Sequence, residues 1–117
     1  MCGIIGATSS RSVDKILIKG LHAMEYRGYD SAGVALNQDS EVFRLRSLGK
    51  VSSLEELMIN NKPKAKSGIA HTRWATHGAP SEENAHPHGS HNEIYIVHNG
   101  IIENHDEIRE KLKEKGY

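Results

Sequence analysis

The pattern of apolar and polar positions in the first quarter of the chain predicts one strand and one helix. The small and apolar run 2–8 predicts a short buried strand. Beyond it, apolar side chains recur every three or four residues and predict an amphipathic helix that Ser12 caps. This stripe comprises Val13, Ile16, Leu17, Leu21 and Met24. Gly20 lies on the same stripe, where a neighbour can approach closely, and Gly28 beyond the helix can take a positive φ.

The next part of the chain predicts a β-hairpin and a short helix. Residues 32–36 and 41–48 have strand character, and the polar segment 37–40 joins them. A helix over 54–59 follows, with a capping box that begins at Ser52 or Ser53.

The rest of the chain predicts two strands, a long loop and a last helix. We expect strands at 68–73 and 94–97, the second one buried, with an irregular loop at 74–90 between them. Asn104 and Glu107 fit a capping box for a charged helix that ends at Gly116. The order of elements predicts a mixed α and β fold with helices packed on sheet faces.

Composition and charge narrow the class of protein. A length of 117 residues indicates one domain or part of one. Fifteen basic and fifteen acidic side chains give a formal net charge of zero, which argues against binding to nucleic acid or a membrane surface. No apolar run reaches a membrane-spanning length, and the stretch MCGIIGATSS lacks the basic and apolar regions of a secretory leader, so we expect neither a transmembrane nor a secreted protein. The single cysteine excludes a disulfide framework, and we expect a cytoplasmic protein.

Cys2 is the most informative candidate residue. Initiator methionine is usually removed before a small residue, which would give Cys2 a free α-amine with a pKa of about 7.7–8.0. One residue would then supply both a nucleophilic thiol and the base that accepts its proton. The alternative is a small buried apolar residue, the usual state of a lone cysteine.

Seven of the eight histidines fall between His71 and His105, which raises the question of a metal site. Their spacing matches neither a zinc-protease helix nor a zinc finger, and no cysteine pairs accompany them. We therefore predict no metal or other cofactor, and we assign the histidines to hydrogen bonding and loop packing.

Two dipeptides contain further candidate functional residues. Asn99 and Gly100 follow a predicted strand and could present a side-chain amide and a backbone N–H to an oxyanion, although Asn-Gly is also a common hairpin turn. Arg73 could bind a carboxylate, with Trp74 in a loop that closes over a ligand. The alternative there is an arginine beside a packed tryptophan at a strand end.

Four longer stretches, taken together with the MCGIIG start, carry a family resemblance. They are EYRGYDSAG at 25–33, HTRWATHG at 71–78, NAHPH at 84–88 and HNGIIEN at 98–104. The chain resembles, from its first to its last residue, the glutaminase domain of the glutamine amidotransferases that use an N-terminal nucleophile. Within that family it resembles the branch that transfers the amide nitrogen to fructose 6-phosphate.

The resemblance implies catalytic roles at matching positions. Cys2 would attack the glutamine side-chain amide with its own α-amine as base. Asn99 and the Gly100 N–H would hold the oxyanion, and Arg27 would orient the chain terminus from behind the site.

It also implies a substrate pocket. Arg73 would bind the α-carboxylate of glutamine, Thr76 and His77 would line the same pocket, and Trp74 would lie in the closing loop. Two alternatives stay open. Within the family, the chain could belong to a glutaminase that serves another acceptor, and outside the family it could be a non-catalytic partial domain.

The implied fold is α+β, the αββα sandwich of the N-terminal nucleophile hydrolases. The family's glutaminase domain is longer than this chain, so residues 1–117 are expected to be its N-terminal portion, with the sandwich incomplete. The group that binds the substrate α-amine and the sugar-isomerase domains are expected to lie outside it. The implied partners are L-glutamine and, through the isomerase domains, fructose 6-phosphate, in a full-length enzyme that is a homo-oligomer and makes glucosamine 6-phosphate for amino-sugar synthesis.

Overall fold

The computed structural model describes all 117 residues, and its elements follow the predicted order. The strands are β1 (Gly3–Thr8), β2 (Ser31–Gln38), β3 (Glu41–Leu48), β4 (Ser67–Arg73), β5 (His88–Ser90) and β6 (Ile94–Ile96). The helices are α1 (Asp14–Met24), α2 (Val51–Asn61) and α3 (His105–Glu114), and a 3₁₀ turn at Glu25–Arg27 follows α1. None of the helices has the length and apolar character needed to cross a bilayer.

Four strands form an antiparallel sheet in the order β1-β4-β2-β3. The hairpin between β2 and β3 is confirmed, and its two turn residues, Asp39 and Ser40, have φ angles of 51° and 69°. Positive φ at both positions is the geometry of two-residue hairpin turns, whose twist matches that of the strands. The inner strand β2 is buried from Ser31 to Leu36, which explains its unbroken run of small and apolar residues.

Helices α1 and α2 cover one face of this sheet and enclose the core. The buried apolar side chains there include Leu17 and Leu21 of α1, Leu54 of α2, and Val34 of β2. A Cβ on Gly20 would lie 1.9 Å from the Cδ1 atom of Ile5, so the predicted close approach at this glycine is confirmed.

The opposite face of the sheet is covered by the loop before β5 and by the small antiparallel sheet β5–β6. A Cβ on Gly33 would lie 2.0 Å from the carbonyl oxygen of His86, which brings this loop directly onto β2. Arg46 of β3 donates hydrogen bonds to the carbonyl oxygens of Glu83 and Ala85 at 3.0 and 3.1 Å. The layers therefore run helix, sheet, sheet, which is the beginning of the predicted sandwich.

The start of α2 differs from the prediction. The helix begins at Val51 rather than Leu54, and neither Ser52 nor Ser53 caps it. The Val51 N–H instead donates to the carboxylate of Glu25 at 2.9 Å, so the first turn is capped by a residue outside the helix.

Two other predicted caps are also wrong. The α1 N-cap is Val13, while the hydroxyl of Ser12 donates to the side chain of Asp14. Asn104 does precede α3, but its side chain makes no cap hydrogen bond. Gly28 and Gly116 have φ angles of 100° and 86°, as expected for residues that end helical segments.

The strand predicted at 94–97 is shorter and more exposed than expected. It ends at Ile96, and the side chains of Ile94 and Ile96 are 65% and 57% exposed. Its partner β5 lies in the segment predicted as loop. A run of only four apolar residues has no alternation that would distinguish a buried face from an exposed one. The prediction that this strand is buried therefore rests on its hydrophobicity alone.

We expect Gly33→Ala to lower the free energy of unfolding by about 1–3 kcal/mol, the usual cost of forcing atoms into a packed site. The added methyl group would meet the His86 carbonyl oxygen and push its loop off β2. Gly6→Ala is the matched control, because a Cβ there has no neighbour closer than 4.0 Å. Urea unfolding of both variants tests this, and equal losses would contradict the close approach.

Candidate active site

A cleft of about 840 Å³ opens beside the ends of β1 and β4. Six of the eight predicted site residues line it: Cys2, Arg73, Trp74, Thr76, His77 and Gly100. Asn99 reaches this site through a contact with the Cys2 backbone, and Arg27 lies beside the chain terminus. The structure thus brings residues from both ends of the sequence to one place.

Cys2 is half-buried and immediately precedes β1. Because Gly3 pairs with Thr72, residue 2 lies opposite the end of β4. The Cys2 Sγ atom accepts a hydrogen bond from the Trp74 N–H at 3.3 Å. Backbone pairing of the two strands therefore fixes the thiol at the cleft.

Arg27 holds the residue that precedes Cys2. The amine of Met1 donates to the Arg27 carbonyl oxygen at 2.8 Å, and the guanidinium donates to the Met1 Sδ atom at 3.1 Å. Met1 itself is 72% exposed.

Asn99 and Gly100 lie in the segment between β6 and α3. No strand follows them, so they do not form a hairpin turn. The Asn99 Nδ2 donates to the carbonyl oxygen of Cys2 at 3.0 Å, and its Oδ1 lies 2.7 Å from His71 Nε2. Gly100 has a φ of 150°, in the range that favours glycine.

Arg73 ends β4 and is only 8% exposed. Its guanidinium donates to the carbonyl oxygens of His77, Gly78 and Ala79, the last two at 3.5 and 3.1 Å. The Arg73 guanidinium therefore holds the loop that carries Thr76 and His77 against the end of β4.

Trp74 and Asp30 fix the start of the same loop. The half-exposed Trp74 ring lies over Gly28, where a Cβ would come within 2.4 Å of its Cε3 atom. The Asp30 N–H donates to the Arg73 carbonyl oxygen at 2.7 Å, and its carboxylate accepts from the Ala75 N–H. Any side chain larger than hydrogen at position 28 would displace the indole.

Three histidine rings pack against one another where they line the cleft. The rings of His71 and His86 are stacked with centroids 4.3 Å apart, and His88 meets His86 edge-on at 4.4 Å. Burial lowers the pKa of His86 to about 3, with the neighbouring His71 and His88 adding to the effect. Burial also lowers the pKa values of His71 and His88, so these rings are neutral near pH 7. No three His, Cys, Asp or Glu side chains converge as metal ligands.

Sequence reasoning missed the parts played by Asp30, His71 and His86. All three lie within the stretches that carry the family resemblance, which is the signal that could have singled them out. The contacts of Asp30 with Ala75 and of His71 with Asn99 join residues 45 and 28 positions apart, and such contacts leave no local pattern.

No protein-family model matches the chain. Curated relatives do match it along its whole length. It is 59% identical to the glutamine–fructose-6-phosphate aminotransferase (isomerizing) of Pseudomonas putida, 60% to that of Haemophilus influenzae and 58% to that of Pseudomonas aeruginosa. Each alignment covers 100% of this chain and 19% of the relative, so the chain spans about a fifth of the length of these enzymes.

Two solved structures share the fold. One is the glutamine phosphoribosylpyrophosphate amidotransferase from Bacillus subtilis, at a TM-score of 0.81 and 24% identity. The other, described as the allosteric regulatory enzyme of purine biosynthesis, has a TM-score of 0.84 and 25% identity. Both alignments cover the whole chain and 26% of the solved chain, and they confirm the predicted α+β fold of the N-terminal nucleophile hydrolases. The chain is thus similar, over all its residues, to about a fifth of the glutamine–fructose-6-phosphate aminotransferases (isomerizing), and it shares its fold with two amidotransferases of solved structure.

Proposed function

We propose that this chain carries the nucleophile half of a glutaminase site, which releases ammonia from glutamine for the conversion of fructose 6-phosphate to glucosamine 6-phosphate. The observation that carries the proposal is the Cys2 thiol at the cleft, with the Asn99 amide bonded to the Cys2 carbonyl oxygen and Arg73 among the residues that line the same cleft. The relatives' names supply glutamine and fructose 6-phosphate as the substrates.

The reaction would begin with removal of the exposed Met1. The freed α-amine of Cys2, with a pKa of about 7.7–8.0, is a base matched to neutral pH and takes the thiol proton. The sulfur then attacks the side-chain amide carbon of glutamine, and the C–N bond breaks as the α-ammonium returns a proton to the leaving nitrogen. Ammonia departs and a thioester remains. Water, deprotonated by the same amine, cleaves the thioester to glutamate.

The oxyanion of each tetrahedral intermediate would lie between Asn99 and Gly100. An amide nitrogen carries two hydrogens, and only one of those on Asn99 Nδ2 is used by the Cys2 carbonyl oxygen. The second hydrogen and the Gly100 N–H can then donate to the developing charge beside the thiol.

The substrate's other end would be held by the loop after β4. Arg73 offers five N–H donors, enough to bind a carboxylate while keeping some of its loop carbonyls. Thr76 and His77 line the cleft on that loop, and Trp74 can cover the bound substrate.

We expect Arg73→Ala to raise KM for glutamine by about 10- to 100-fold and to change kcat less, because the lost contact is a charge-assisted one made to the bound substrate. Steady-state glutamate release by the full-length protein measures both constants. Arg11→Ala, on the far side of the helical layer, is the control and should leave both unchanged. A fall in kcat at unchanged KM would contradict the carboxylate role.

The proposal as a whole is tested by an electrophilic glutamine analogue and mass spectrometry of the full-length protein. We expect one adduct, on Cys2, and only in molecules that have lost Met1. A variant that retains Met1 is the control, because its Cys2 nitrogen is an amide and not a base. Alkylation of another residue, or none in the processed protein, would overturn the proposal.

The proposal extends to the context of the chain. Residues 1–117 would form the N-terminal portion of the amidotransferase domain, with sugar-isomerase domains elsewhere in a cytoplasmic homo-oligomer. The chemistry described needs no cofactor, because the thiol, the amine and backbone or amide donors supply every step.

A further inference from the structure

We infer that His71 is a positioning residue, which holds the Asn99 side chain so that its amide nitrogen faces the oxyanion. This inference rests on the proposed function, because it concerns the donor that would hold the oxyanion. Its basis is a chain of two hydrogen bonds, from His71 to Asn99 and from Asn99 to the Cys2 backbone.

The direction of both hydrogen bonds follows from the acceptor at the end of the chain. A carbonyl oxygen can only accept, so the Asn99 atom 3.0 Å from the Cys2 carbonyl oxygen must be the nitrogen. The amide oxygen of Asn99 then faces His71, and the imidazole atom 2.7 Å away must carry a hydrogen. His71 is therefore the donor, and together with the Cys2 carbonyl oxygen it fixes which way the amide faces.

The donor itself is held in place by the sheet. His71 lies in β4, paired with Ile4 of β1 on one side and Gly33 of β2 on the other. The side chain is 1% exposed, and its ring stacks on that of His86. Its second nitrogen, Nδ1, is buried with no partner, so the hydrogen bond to Asn99 is the interaction that fixes the ring's tautomer.

The Asn99 side chain is held by two hydrogen bonds, one to the Cys2 carbonyl oxygen and one from His71. The residue belongs to the segment between β6 and α3, outside the regular elements. Without His71 the amide keeps only its contact with the Cys2 carbonyl oxygen, and it can tilt out of the alignment with the thiol that the oxyanion requires. A displacement of about 1 Å in such a group is enough to cost on the order of 100-fold in rate.

Paired substitutions in the full-length protein test the inference. His71→Phe keeps a stacking ring and removes the donor, whereas His71→Gln places an amide N–H near the position of Nε2. We expect His71→Phe to lower kcat of glutamine hydrolysis by about 10- to 100-fold, with KM almost unchanged, and His71→Gln to recover most of the loss. His22→Phe, on the outer surface of α1, is the control and should keep the original kcat.

A double substitution separates positioning from a general structural effect. In the Asn99→Ala background, His71→Phe should cause no further loss, because the group it orients is already gone. Full kcat in His71→Phe, no recovery in His71→Gln, or additive losses in the double variant would overturn the inference. If Cys2→Ala abolishes hydrolysis and Asn99→Ala lowers kcat as expected, while His71→Phe keeps full kcat, only the role of His71 falls. If Cys2→Ala stays active, the proposed function falls first.

Discussion

Replacing Cys2 with alanine is expected to abolish glutamine hydrolysis by the full-length protein, a loss on the order of 10⁴-fold or more in kcat. The thiol is the only nucleophile that the cleft offers next to a chain terminus, and the oxyanion donors cannot act without an attacking atom. Synthesis from free ammonia should continue, because that half-reaction would use a separate site in the isomerase domains. Glutamate release and ammonia-dependent product formation, measured on one preparation, test both statements.

The control for this experiment is whether Met1 has been removed from the variant. Alanine is also small, so Met1 should still be removed from Cys2→Ala, and intact mass verifies this. Unchanged synthesis from ammonia would show that the isomerase domains are intact, and an unchanged thermal unfolding curve would show that the domain carrying residue 2 is folded. Glutaminase activity that survives in Cys2→Ala would remove the nucleophile assignment altogether.

Asn99→Ala is expected to lower kcat by about 10²–10³-fold with little change in KM, the usual effect of removing one oxyanion donor. The reason is that the second Nδ2 hydrogen of Asn99 would be used only when negative charge develops on the amide oxygen of the substrate. Steady-state kinetics of glutamate release by the full-length protein give the two constants separately.

Asn61→Ala provides a matched control for the loss of an amide. This asparagine lies on α2, where its side chain donates only to the carbonyl oxygen of Leu57. Its replacement should leave both kinetic constants unchanged. A change confined to KM in Asn99→Ala would place this residue in substrate binding instead.

Local sequence predicted those parts of the fold that depend on neighbouring residues. The stripe on α1, the hairpin from β2 to β3 and the positive φ at Gly28 were all readable because spacing and turn chemistry determine them. The start of α2 was not readable, since its cap is a carboxylate 26 residues away. The exposure of Ile94 could not be predicted either, because it depends on which layers lie above β6.

For the candidate site too, local sequence predicted the residue types but not the contacts between distant segments. The residue types were recognisable from short motifs, and the structure places Cys2, Arg73 and Gly100 in one cleft. The sequence could not predict that the Arg73 guanidinium donates hydrogen bonds to the carbonyl oxygens of the loop that follows it. Nor could it predict that His71 forms a hydrogen bond with Asn99. Both contacts arise because the sheet brings distant segments together, and a motif records residue identity but not these distances.

The stacked histidines beside the cleft make unfolding a proton-consuming reaction in mild acid. His86 has a pKa of about 3 in the folded protein against 6.5 ordinarily, so between these values the unfolded chain binds a proton that the folded chain does not. His71 and His88 shift in the same direction, whereas only the exposed His22 shifts the other way, through its hydrogen bond with Glu55. The free energy of unfolding therefore falls as the pH drops below about 6.5, before most carboxylates, with pKa values of about 4, are protonated. Acid acts on this protein first through its neutral imidazoles.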